Sequence, residues 1–256
     1  MESYKIVFLF AVLILNGCTA DTPKAEISIS PSPSPIPKTT TDAQPLQTVD
    51  VAGANKYRQL GLQYRQQKLY SRAIASLQKS IALNPQNISG YVILGWTQHL
   101  AGKEAAASQT LQQALKREPE NVPALNALGI VYLVTGDLQA AVATLTQAFT
   151  LKPDNEIAYY NLSLAYHRLK QYDLAIKNAT KATQLEANNP HTWVALALAH
   201  WAKGEKPEAK KAYRRATALD SRYSDRDFLT NLQQAGFSLD QIQSVKQILF
   251  LRLGSS

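Results

Sequence analysis

The sequence predicts an all-α solenoid of five stacked helix pairs, and three observations predict it. A pattern returns every 34 residues, marked by Pro85, Pro119 and Pro153. Within each 34-residue unit the fourth residue is large (Tyr57, Tyr91, Leu125, Tyr159, Trp193) and the seventh is leucine (Leu60, Leu94, Leu128, Leu162, Leu196), a spacing that puts both on one helix face. The twentieth residue is always alanine: Ala73, Ala107, Ala141, Ala175 and Ala209. A period of this length marks helix pairs that bury their apolar faces only against their neighbours.

The units run without insertion as 54–87, 88–121, 122–155, 156–189 and 190–223. In each, the first helix follows its leucine with a small residue: Gly61, Gly95, Gly129, Ser163 and Ala197. Small residues there let two antiparallel helices approach closely. The second helix has another small residue at the twenty-seventh place (Ser80, Ala114, Ala148, Ala182, Ala216), where it must meet the first helix of the next unit. Ala187 and Ser221 stand where a closing proline would be, and Pro190 is placed to start the first helix of unit five.

These residues resemble the tetratricopeptide repeat over 54–223, with its large-Leu-Gly-aromatic and Ala-aromatic-Ala-Pro skeleton. The departures are Gln98 and His200 in places where the family prefers tyrosine, and Ala179 in place of a larger residue. The resemblance implies a right-handed superhelix whose first helices line a concave surface, and a protein that binds other proteins rather than one that catalyses.

Residues 224–256 are expected to cap the open end of the solenoid with further helices. Phe228, Leu229 and Leu232 form a short stripe that Gly236 terminates, with Phe237 as the apolar residue after the stop. Ser238 and Gln241 then make a capping box for a helix with Ile242, Val245 and Leu249 on one side. Residues 248–251 are apolar on more than one face, so contact with another chain, as weak self-association, is the alternative to capping.

Residues 1–17 read as an export leader, with Lys5 as the only positive charge and a short apolar run over 6–15. Leu15-Asn16-Gly17-Cys18 resembles the lipobox of bacterial lipoproteins, which implies a diacylglyceryl group on the Cys18 sulfur and attachment to a membrane through it. Cys18 is the only cysteine, so the chain forms no internal disulfide. Residues 18–53 read as a tether: they lack apolar periodicity, and alternating Ser and Pro over 30–35 favours extended polyproline II.

In the family's geometry, positions five, nine and twelve of each unit face the concave groove as one stripe. Position five holds Arg58, Val92, Asn126, Tyr160 and Val194; position nine holds Leu62, Trp96, Ile130, Leu164 and Leu198; position twelve holds Arg65, His99, Leu133, His167 and Trp201. The expected occupant is a peptide or helix, anchored by Trp96, Tyr160 and Trp201, with Asn126 and Asn161 bonding its backbone. The other reading is that part of the stripe is internal packing, or lies under the chain's own linker or C-terminal helix. A carboxylate clamp of the kind one subtype uses is not expected, because Leu62 occupies the asparagine place.

The formal charge is +8, with basic residues crowded in units one and five. Such faces fit anionic lipid, an acidic partner or plain solvated surface; export argues against nucleic acid. The sequence contains no glycine-rich phosphate loop, metal-binding cysteine set or serine-nucleophile elbow. The expectation is therefore a non-enzymatic scaffold at the bacterial cell envelope, without metal or cofactor, facing the periplasm or exterior. A self-assembling envelope protein and a substrate-recruiting subunit of an envelope enzyme are the alternatives.

Overall fold

The computed structural model describes residues 49–253. The leader, Cys18 and the Ser/Pro tract lie outside the described residues.

Five helix pairs follow one another: α1 Val51–Gln66 with α2 Tyr70–Leu83, α3 Ile88–Leu100 with α4 Glu104–Arg117, α5 Val122–Thr135 with α6 Leu138–Leu151, α7 Glu156–Arg168 with α8 Tyr172–Leu185, and α9 Pro190–Lys203 with α10 Lys206–Leu219. Residues 51–53, read above as the end of the tether, are the first turn of α1. Each helix packs against the next, and the first helices of units two to five also pack against one another.

Two local devices repeat. At the fifteenth position, where the pair reverses direction, the backbone is left-handed: Lys68 and Lys170 at φ +59°, Gly102 at +70°, Gly136 at +89° and Gly204 at +90°. Glycine adopts that region freely, while a lysine there is strained by about 1 kcal/mol. At the thirty-fourth position stands an asparagine whose side chain caps the next helix. Asn87, Asn121, Asn155 and Asn189 accept from the N–H groups of Gly90, Ala124, Ala158 and His191. Each bond satisfies a donor that the helix itself leaves orphaned.

The small residue at position eight is explained by its partner at position twenty-four. A Cβ on Gly61, Gly95 or Gly129 would lie 2.7, 2.6 or 2.5 Å from the Cγ of Leu77, Leu111 or Leu145. All three leucines are fully buried and have nowhere to move. Unit four makes the opposite exchange, with Ser163 and Ala179 both buried. The small Ala179 is thus the counterpart of the larger Ser163. In unit five, Tyr213 stands opposite Ala197 in the pattern, and its hydroxyl donates to the Tyr223 carbonyl at 2.8 Å, tying the last pair to the chain beyond it.

Beyond the repeats come a 3-10 turn, Ser221–Ser224, a 3-10 helix, Phe228–Ala235, and α11, Leu239–Leu253. Gly236, at φ +87°, ends the 3-10 helix, and the Phe237 N–H bonds back to the Leu232 carbonyl. The capping box forms in both directions: the Ser238 N–H donates to Gln241 Oε1 at 2.9 Å, and the Gln241 N–H donates to Ser238 Oγ at 3.3 Å. Leu229, Leu232, Phe237, Ile242, Val245, Ile248 and Leu249 then join Leu133, Leu164, Val194, Leu198 and Tyr213 in one buried cluster. No described helix is long and apolar enough to cross a membrane.

Candidate binding groove

The stripe on the first helices divides into three stretches with different surroundings. Over units four and five it lies under the chain's own C-terminal segment. The Tyr160 hydroxyl donates to the Ala235 carbonyl at 2.6 Å, and its ring meets that of Phe237 at 6.3 Å between centroids. Gln241 Nε2 donates to the Leu164 carbonyl at 3.2 Å and lies 3.2 Å from His167 Nδ1. Gly236 passes so close that a Cβ on it would touch Asn161, Leu164 and Leu133. Val194, Leu198 and Leu164 are buried, while Trp201 sits at the rim, packed on the cluster, with Lys206 Nζ 5.6 Å from its ring centre. The Asn161 amide donates to its own helix, at the Ile157 carbonyl.

In unit three the polar groups are used internally. Asn126 and Asn155 exchange amide hydrogen bonds of 3.2 and 2.9 Å across the junction with unit four. Asn155 is also the cap of α7, so one side chain fixes both the helix start and the stacking of units. Ile130 and Leu133 are buried as well, and Leu133 belongs to the cluster that takes in the C-terminal segment.

In units one and two the stripe stays partly exposed at Arg58, Leu62, Arg65, Trp96 and His99, with Val92 buried among them. Arg58 donates to Ser89 Oγ at 3.4 Å, which orients it across the junction of units one and two. Burial of Arg65 lowers the pKa of its guanidinium. The Trp96 and His99 rings lie 4.9 Å apart, and His99 Nδ1 is 2.8 Å from Glu104 Oε2, which fixes the ring on the α3–α4 turn. The arrangement is an apolar floor with two guanidinium groups at one end.

Two histidines record how the C-terminal segment is held. Burial pushes His167 and His191 down to about 4. His191 Nδ1 is 2.8 Å from the Tyr223 hydroxyl, and His167 Nε2 meets no hydrogen-bond partner among the described residues. Both sit where the repeats meet the segment that follows them. The unfolded chain binds these protons near pH 6.5, whereas the folded chain does not until about 4, so the stabilising neutral state is fully present above 6.5 and is lost as pH falls through that window. Urea unfolding between pH 7 and 4.5 should show stability declining by up to about 3 kcal/mol per histidine, and a His167→Gln variant should flatten the slope.

The sequence placed the stripe and left open whether a foreign peptide or the chain's own C-terminal helix covers it; over units four and five the cover is the C-terminal segment. The junction asparagines were a signal that was there to be used, since the residue recurs at position thirty-four of four units. Among the described residues, no group of three or more His, Cys, Asp or Glu is placed to hold a metal ion.

Comparison with known proteins agrees with this architecture. Tetratricopeptide repeat family models match residues 98–164, and 57–87, 157–189 and 190–223, together more than half of the chain. No curated protein matches it by sequence. Similar solved structures include a MamA protein (24% identity, TM-score 0.57, covering 67% of this chain and 94% of that one). TTC0263, a thermophilic repeat protein of Thermus thermophilus, is 23% identical with a TM-score of 0.58, covering 71% of this chain and 98% of that one. MamA 41-end from Desulfovibrio magneticus RS-1 is 20% identical with a TM-score of 0.60, covering 66% and 96%. At these identities the likeness is one of fold.

Proposed function

We propose that this chain, which belongs to the tetratricopeptide repeat family, is a non-enzymatic scaffold of the bacterial cell envelope that binds a partner protein through units one and two. The observation that carries the reading is the division of the groove: units four and five are filled by the chain itself, while Arg58, Leu62, Arg65, Trp96 and His99 keep exposed surface. A peptide or helix with an apolar side chain for the Trp96 and Leu62 floor and a carboxylate for Arg58 or Arg65 matches that surface. The envelope location rests on the leader and on Cys18, whose acylation would hold the chain at a membrane while the tether lets the repeats reach outward.

Self-assembly is a second reading, favoured by Phe250 of α11, which is 72% exposed. Crosslinking in membranes, followed by purification in detergent, separates the two. With Trp96→Arg, partner recovery should fall by about tenfold, the scale expected for losing one buried aromatic anchor. Trp201→Glu and Phe250→Asp should change it little. Unaltered recovery with Trp96→Arg would sink the groove reading, and loss of homotypic crosslinks with Phe250→Asp would favour self-assembly. In the same preparation, Cys18→Ser should move the chain out of the membrane fraction.

A further inference from the structure

The α10 helix carries five basic residues and one acid within fourteen residues. Lys206, Lys210 and Arg214 follow at four-residue spacing, so they share one face, and with Pro207 they line a shallow depression. Lys211 and Arg215 form the adjoining row, both exposed, with the Arg215 guanidinium 6.0 Å from the Trp193 ring centre. The preceding unit has cations at the same two repeat positions, Lys177 and Lys181 on α8. Glu208 is the one acid on α10 itself, and two neighbouring acids are drawn to Lys203. Asp173 and Glu205 both bind Lys203 Nζ, at 2.8 and 2.7 Å, and Glu205 also holds His200 Nδ1 at 2.6 Å. The Lys203 ammonium is accordingly held well above its ordinary pKa by these two carboxylates.

We propose that this α8–α10 face docks on an anionic phospholipid bilayer. The depression is open and shallow, so it has no walls to enclose one small anion. Cations spread over two helices of consecutive units instead present charge across an area, which fits a sheet of phosphate headgroups. Each Lys or Arg brought near such a sheet adds attraction that decays within a Debye length. Rigid helices hold the cations without ordering a flexible loop. The inference depends neither on the groove nor on acylation of Cys18.

The test uses the full chain carrying Cys18→Ser, which cannot be acylated, in co-sedimentation with vesicles. One set is phosphatidylcholine alone, and the other is phosphatidylcholine mixed with an equal part of phosphatidylglycerol. The excess binding to the anionic set is the quantity read, because the apolar leader contributes equally to both. The triple variant Lys206→Glu, Lys210→Glu, Arg214→Glu should lose that excess by about tenfold or more. The variant Lys56→Glu, Arg72→Glu, Lys79→Glu changes net charge equally on unit one and should lose less than about threefold. Circular dichroism checks that both remain folded. Equal losses in the two variants would mean diffuse charge attraction and overturn the proposal. So would no excess for anionic vesicles, including a chain that captures nucleic acid or an acidic protein but not vesicles.

Discussion

Gly129→Ser is expected to destabilise the fold by about 1 to 3 kcal/mol, because the new Cβ would lie 2.5 Å from Leu145 Cγ in a core with no slack. Leu145→Ala alone is expected to cost about 2 to 5 kcal/mol through the cavity it leaves. Combined, the two changes should cost less than their sum by about 0.5 to 3 kcal/mol. The reason is already in the molecule: unit four carries Ser163 and Ala179 at these two positions, both buried. Urea titration of the four chains gives the coupling energy. Simple additivity would show that the glycine is not there to admit the leucine, and the account of units one to three would fail with it.

Val245→Asp should have the other large effect, but confined to one region. Val245 is fully buried in the cluster that joins α11 to α9, and an ionised carboxylate there loses its hydration without gaining a partner, at a cost of several kcal/mol. The expected result is release of residues 228–253 from the groove with the five helix pairs still folded. Limited proteolysis should then cut within that segment, and hydrogen exchange should speed up in α9 and α11 more than in α1 to α4. A fully unfolded chain would mean that the segment is inseparable from the repeats. Unchanged protease resistance would mean that it is held by something other than this cluster.

Much of this architecture was legible because its causes are local or periodic. Leu60, Leu94 and their counterparts mark a buried face by spacing alone. Gly236 with Phe237, and Ser238 with Gln241, are stop and start signals whose chemistry is complete within a few residues. The course of the C-terminal segment was not legible for a physical reason. The stripe of Ile242, Val245 and Leu249 states which face is buried, not what it is buried against. In the same way, Tyr160 and Asn161 have the same periodicity whether their cover is a foreign peptide or residues 235–241 of the same chain. Asn155 shows a third kind of miss. Its capping role follows from its place in the repeat, but its amide pairing with Asn126 depends on how α7 stacks against α5, which the spacing of the two asparagines does not state.

The bonds from Tyr160 to Ala235 and from Gln241 to Leu164 span 75 and 77 residues. Contacts in a stacked array otherwise run between neighbours, so such an array lengthens or shortens by whole units at little cost. Here those two bonds act as a clasp that sets the length of one end. A unit duplicated before α5 leaves the clasp in register, whereas one inserted between α7 and Phe228 carries Ala235 and Gln241 away from their partners. By this reckoning, a whole unit is added or removed at least cost at the end that carries units one and two, where the stripe keeps exposed surface among the described residues.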